Sequence, residues 1–111
     1  MDFKTKTENK AVVVMIGGRL DAVTAPDFEK RIRELIDSGN SCFVVDFDQL
    51  DYISSAGLRA LLLMAKLLKE KGGQECLANV KGNVLSVFEM SGFTGIFKIE
   101  ESVAAALAAL G

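Results

Sequence analysis

The chain has 111 residues, half of them hydrophobic, and 13 lysines and arginines against 15 aspartates and glutamates, a formal charge of −2. That is enough apolar material for one self-supporting core, and it provides no basic field of the kind that nucleic-acid binding requires, so nucleic acid is not an expected partner. Histidine is absent, which removes the commonest general base and nitrogen metal ligand and leaves any catalytic scheme to carboxylates, lysines or hydroxyls.

Residues 3–8 alternate apolar or β-branched with charged side chains, Asn9-Lys10 reads as a turn, and residues 11–16 are a dense β-branched run. This pattern predicts a hairpin whose second strand is buried. Gly17-Gly18 is expected to end that strand. Thr24, with Pro26 and Asp27 in the following turn, reads as a helix start; Phe28, Ile32, Leu35 and Ile36 follow at helical spacing, and Gly39 supplies a terminator. Residues 42–47 form a short strand-type run, and the acids that follow it, through Asp51, are expected in a loop.

A long helix from about Ser55 to Lys71 comes next, closed by Gly72-Gly73. Residues 75–80 predict a strand, residues 83–91 a short helix with Val84, Val87 and Phe88 on one face, and residues 96–99 a last strand. Ser102 is placed to cap a final helix that buries Val103, Leu107 and Leu110. Alternation of this kind predicts an α/β fold in one domain, residues 1–111: a mixed, mostly parallel sheet with an N-terminal β-hairpin and about four helices. Cys42 and Cys76 each fall in a strand-type run and read as buried, reduced thiols. No apolar run approaches the roughly 20 residues of a membrane span, and residues 1–10 lack the apolar centre of a secretory signal. The expected setting is the cytoplasm, with no membrane insertion.

The richest stretch is Tyr52-Ile53-Ser54-Ser55-Ala56-Gly57-Leu58-Arg59, where a buried strand hands over to the long helix. Ser55 reads as the helix N-cap, since serine is among the preferred caps for the unpaired first N–H groups. A hydroxyl at that point can also receive a phosphate, which adds about −1.5 to −2 charge beside the positive end of the helix. Both uses are open from the residues alone. In the helix, Leu58, Leu61, Leu62, Ala65 and Leu68 make a core face, while Ala56, Ala60, Leu63 and Leu67 form a second apolar stripe that confines Arg59, Lys66 and Glu70 to a narrow arc. Either a neighbouring helix covers that stripe or it is a docking surface beginning beside Ser55.

Other candidates carry less. Asp46 and Asp48 have the spacing of the aspartate pair of haloacid-dehalogenase-type phosphotransferases, which attack with one carboxylate and hold magnesium with both. Leu50 stands where that motif has Thr or Val, and solvated loop acids are the better reading. Asp21 is a strand-end acid that reads as a turn or capping residue. Neither glycine pair has the spacing of a phosphate-binding loop, and no serine has a base to activate it. No catalytic residue, metal or cofactor is therefore expected.

Gly18-Arg19-Leu20-Asp21 before a helix, Asp46-Phe47-Asp48 at a strand end and the Tyr52–Leu58 stretch, followed by Val87-Phe88-Glu89-Met90-Ser91-Gly92-Phe93 and Ile96-Phe97-Lys98-Ile99, together resemble the STAS domain of anti-sigma factor antagonists. The resemblance implies a domain that binds an anti-sigma factor, itself a serine kinase, and so releases a sigma factor. It further implies phosphorylation of the antagonist by that kinase and restoration by a PP2C-type phosphatase.

Members of the family commonly carry Asp-Ser-Ser-Gly or Asp-Ser-Thr-Gly, with the acceptor two residues before the glycine. Counted back from Gly57 that serine is Ser55, with Ser54 as second choice; the family's aspartate falls on Ser54 and its second hydroxyl on Ala56. The implied partner-binding residues are Asp21, Ser54, Ala56, Gly57, Arg59, Ala60 and Leu63, on a monomer or weak dimer. The alternative is a constitutive STAS scaffold without a phospho-switch, as in transporter, lipid-transfer or stress-sensing assemblies.

Overall fold

Asn9 and Lys10 both adopt positive φ, 49° and 69°, the conformation of a two-residue type I′ turn whose twist matches the strands it joins. It connects β1 (Asp2–Glu8) to β2 (Ala11–Leu20), antiparallel with Glu8 opposite Ala11 and Phe3 opposite Ile16. The computed structural model describes residues 1–110. In it β2 does not stop at Gly17-Gly18. Register shifts between Met15 and Gly17 and between Gly18 and Arg19 absorb the glycines as bulges, with Gly18 at φ 82°, a value that glycine takes without steric cost.

The acidic stretch is likewise not a loop. It is the second half of β3 (Cys42–Ile53), parallel to β2, in which Phe47, Leu50 and Ile53 are buried between exposed polar positions. A strand that turns inward at every third residue hides from a reading based on strict alternation. β4 (Gln74–Ala78) lies parallel beyond β3, and a two-residue β5 (Ile99–Glu100) closes the order β1-β2-β3-β4-β5. The strand expected over residues 96–99 thus shrinks to its end. Phe93–Gly95 form a 3₁₀ turn, which leaves Ile96 exposed and Phe97 buried.

Helices α1 (Ala25–Asp37), α2 (Ser55–Glu70) and α3 (Gly82–Met90) pack on the main core, and α4 (Val103–Leu110) on the other face of the sheet. Strand alternation divides the two: Val12, Val14, Ile16, Phe43, Val45, Phe47 and Leu77 meet α1, α2 and α3 residues such as Phe28, Leu61 and Phe88, whereas Val13, Val44, Cys76 and Ala78 lie under α4. α1 buries Phe28, Ile32 and Ile36, and Gly39 follows it at φ 102°.

The Ser102 hydroxyl accepts the Ala105 N–H at 3.0 Å and caps α4 as expected. The residue that α4 buries is Ala106, with Val103, Leu107 and Leu110 half-buried around it, since a short alanine-rich helix seats its small side chain closest to the sheet. Both cysteines are free. Cys76 is buried and Cys42 only half-buried at the start of β3, a partial correction to the expectation of two buried thiols.

Candidate functional site

β2 and β3 finish side by side, with Leu20 opposite Ile53, and the N–H of Ser54 extends the pairing by one more bond to the Leu20 carbonyl at 3.0 Å. From this shared end the chain leaves β2 through a tight turn. The Asp21 carboxylate accepts the N–H groups of Val23 at 3.0 Å and Thr24 at 3.2 Å. The Thr24 hydroxyl accepts the Asp21 N–H at 2.9 Å and donates to the Arg19 carbonyl at 2.8 Å. Thr24 does stand at the N-cap of α1, but its hydroxyl is spent on this turn and makes no cap bond.

Hydrogen bonds from Thr24, and after it from Val23 and Arg19, hold the Asp21 carboxyl below its ordinary range against a desolvation that pushes the other way. Asp21 therefore shapes the turn. At the turn's tip Val23 is 86% exposed. Beside it in the pairing, Arg19 lies opposite Tyr52, its guanidinium 4.2 Å from the centre of that ring, an arrangement that favours a cation over an aromatic face.

The two serines divide the roles differently from the sequence expectation. Ser54, not Ser55, is the N-cap of α2: it keeps the extended backbone of β3 at φ −104° and ψ 176°, and its hydroxyl accepts the Gly57 N–H at 3.4 Å. The bond to Leu20 is the reason, because it holds Ser54 in strand geometry and lets the helix begin only one residue later. Ser55, the first helical residue, is exposed. Among the described residues nothing hydrogen-bonds to its hydroxyl.

Gly57 seats the first turn of α2 against the strand ends. A β-carbon there would stand 2.5 Å from the Leu20 carbonyl oxygen and 2.8 Å from Cγ1 of Ile53, so no other residue fits without displacing backbone. Gly57 and Ala60 are both buried. Both pack beneath the surface, where a small residue lets α2 run close to its neighbours.

The second apolar stripe is split. α1 packs along α2, Ala60 is buried and Leu67 packs on the core, while Ala56 and Leu63 stay half-buried and Arg59 is exposed. Met64 joins Leu58, Leu61 and Leu68 in the interior, and Leu62 and Ala65 are half-buried rather than fully buried. At 100° per residue Ser55, Arg59, Leu62, Leu63 and Lys66 share one outward face.

Val23 and Tyr52 were not picked out from the sequence as site residues, although both are exposed, Tyr52 at 38%, at the end of the sheet that carries Ser55. An apolar residue inside a turn closed by Asp21 and Thr24 has no core position to take, and that was the legible signal for Val23.

Asp46 and Asp48 are engaged elsewhere. Asp46 accepts the Asn79 amide at 2.8 Å and the Asp48 N–H at 3.0 Å. Asp48 takes Lys81 at 2.6 Å, which together with Gln49 holds its carboxyl below the usual range. The pair ties β3 to the segment between β4 and α3. Among the described residues no three His, Cys, Asp or Glu side chains gather as a metal site.

A protein-family model described as the STAS domain matches residues 2–106. The chain belongs to the STAS domain family. Its relatives in the family include BtrV of Bordetella bronchiseptica, provisionally named an anti-sigma factor antagonist, 40% identical over 98 residues that cover 88% of this chain and 84% of BtrV. Among solved structures, a Thermotoga maritima protein described in the same provisional terms superposes with a TM-score of 0.91 at 21% identity, covering 97% of this chain and 93% of that one. The anti-sigma factor antagonist SpoIIAA in its unphosphorylated form gives 0.74 at 18%, covering 97% and 96%, and Bacillus SpoIIAA is also known in a phosphorylated form. These likenesses establish the STAS fold of the chain. Among the described residues no helix is long and apolar enough to cross a membrane.

Proposed function

We propose that this STAS domain is a non-enzymatic anti-sigma factor antagonist of the cytoplasm that binds an anti-sigma factor serine kinase through the Ser55 end of the sheet and is switched off by phosphorylation of Ser55. The observation that carries the reading is the contrast between the serines: Ser54 is committed to the cap, and Ser55 offers an exposed hydroxyl without a partner. Beside it, Ala56, Leu63 and Val23 present apolar surface that a partner can cover. The names of BtrV and SpoIIAA support the assignment, and the phosphorylated form of SpoIIAA supports a fold that tolerates the modification.

In this scheme the Ser55 Oγ attacks the γ-phosphorus of ATP held by the kinase. The new O–P bond replaces the bond to the β-phosphate, ADP leaves, and the hydroxyl proton is lost to the kinase or solvent. A PP2C-type phosphatase then hydrolyses the ester with water and restores the hydroxyl. A phosphate desolvated against an apolar rim is costly; a ~100-fold loss of affinity needs only about 2.8 kcal/mol.

Incubation with the cognate kinase and ATP tests the acceptor. Ser54→Ala should be labelled and Ser55→Ala should not; labelling of Ser55→Ala at the wild-type level overturns the assignment and moves the acceptor to another hydroxyl, Ser54 first.

A further inference from the structure

Arg59 is one of four α2 residues, with Lys66, Lys69 and Glu70, whose charge is unpaired among the described residues, and it is the one that lies a single turn from Ser55. It is exposed, and among the described residues it makes neither a side-chain hydrogen bond nor an ion pair. Helix geometry explains why: its neighbours three and four positions away are Ser55, Ala56, Leu62 and Leu63, none of them acidic. Side chains on a helix lean toward its N-terminus, so Arg59 is placed to reach back toward Ser55 rather than forward.

The protein already shows what that geometry does when the N-terminal member of such a pair is an anion. In α1, Asp27 and Arg31 stand in the same i, i+4 relation near the start of the helix, and their side chains meet at 3.0 Å. Ser55 and Arg59 share that i, i+4 spacing in α2, at its first and fifth residues where Asp27 and Arg31 are the third and seventh of α1, with a hydroxyl where α1 has a carboxylate. The first turn of α2 also lacks any acidic residue.

We infer that Arg59 is a built-in receptor for the phosphate of Ser55: on modification its guanidinium swings onto the phosphate in cis and forms a charge-assisted, two-pronged pair. This rests on the reading of Ser55 as the acceptor. It adds a second consequence to the modification, because the same phosphate that adds charge at Ser55 also withdraws a cation from the outward face of α2. The guanidinium suits the task because its planar fork of donors matches two phosphate oxygens, a fit that the lysine ammonium lacks.

The test separates this inference from the choice of acceptor by placing phosphoserine at position 55 during translation, with no kinase involved. The second ionisation of the phosphate is then followed by phosphorus NMR across pH. A guanidinium on the phosphate stabilises the dianion, so the midpoint in the otherwise wild-type chain should lie lower than in Arg59→Gln by about 0.2 to 0.4 of a pH unit or more. Arg59→Lys should keep part of that difference. The helix N-terminus is common to all three proteins and cancels. In parallel, phosphoserine should raise the unfolding temperature of the wild-type chain more than that of Arg59→Gln.

Equal midpoints in wild type and Arg59→Gln overturn the clamp, whatever residue a kinase labels. A normal clamp with kinase labelling at another hydroxyl would instead overturn the Ser55 assignment and leave the pair chemistry intact.

Discussion

The β-carbon that Gly57 lacks would stand 2.5 Å from the carbonyl oxygen of Leu20, the same oxygen that receives the Ser54 N–H at 3.0 Å. One atom at the end of β2 therefore sets both how closely α2 approaches and where its cap lies. Gly57→Ala should force α2 away from the strand ends at a cost of about 1–3 kcal/mol. A lowered urea midpoint, together with weaker partner binding from the displaced serines, is the expected result.

Ser54 and Ser55 should separate cleanly in a stability measurement. Ser54→Ala removes the oxygen that accepts from Gly57 and is expected to cost about 1 kcal/mol. Ser55→Ala touches an exposed side chain and should leave the unfolding midpoint within about 0.5 kcal/mol of wild type. Chemical denaturation of the two variants side by side checks this.

The element order, the antiparallel edge and the four helices were legible in the sequence because periodicity and turn residues report local structure well. Three features were not. Gly17-Gly18 looked like a strand end because glycine marks turns and bulges alike, and only pairing with β3 shows which. The strand character of residues 48–53 was masked by acids and glutamine on its exposed positions. The cap fell on Ser54 rather than Ser55 because the bond to Leu20, distant in sequence, fixes where the helix begins. At the site, spacing put Ala60 on a second stripe and left open whether a neighbouring helix or a partner covers it; α1 packs along α2 and Ala60 is buried.

Glu75 gives the fold an unusual pH dependence. It stands opposite Phe43 on β4, both its carboxylate oxygens are buried without a hydrogen-bond partner, and burial raises its carboxyl from the ordinary 4.5 to about 8. The folded state thus holds this proton more tightly than the unfolded state. The stability linked to it is fully present below pH ~4.5, declines as the pH rises, and is gone above pH ~8, where both states are ionised. Glu75→Gln should remove the decline: its urea midpoint should exceed that of the wild type near pH 8, and the gap should shrink steadily toward pH 4.5.

A phosphate on Ser55 is expected to break the complex while the domain stays folded. The direct measurement is the Kd of the cognate anti-sigma factor kinase for the unmodified chain and for the chain carrying phosphoserine at position 55, with circular dichroism confirming that both are folded. Modification should lower the affinity about 100-fold, equivalent to about 2.8 kcal/mol. Equal affinities for the two folded forms would contradict it.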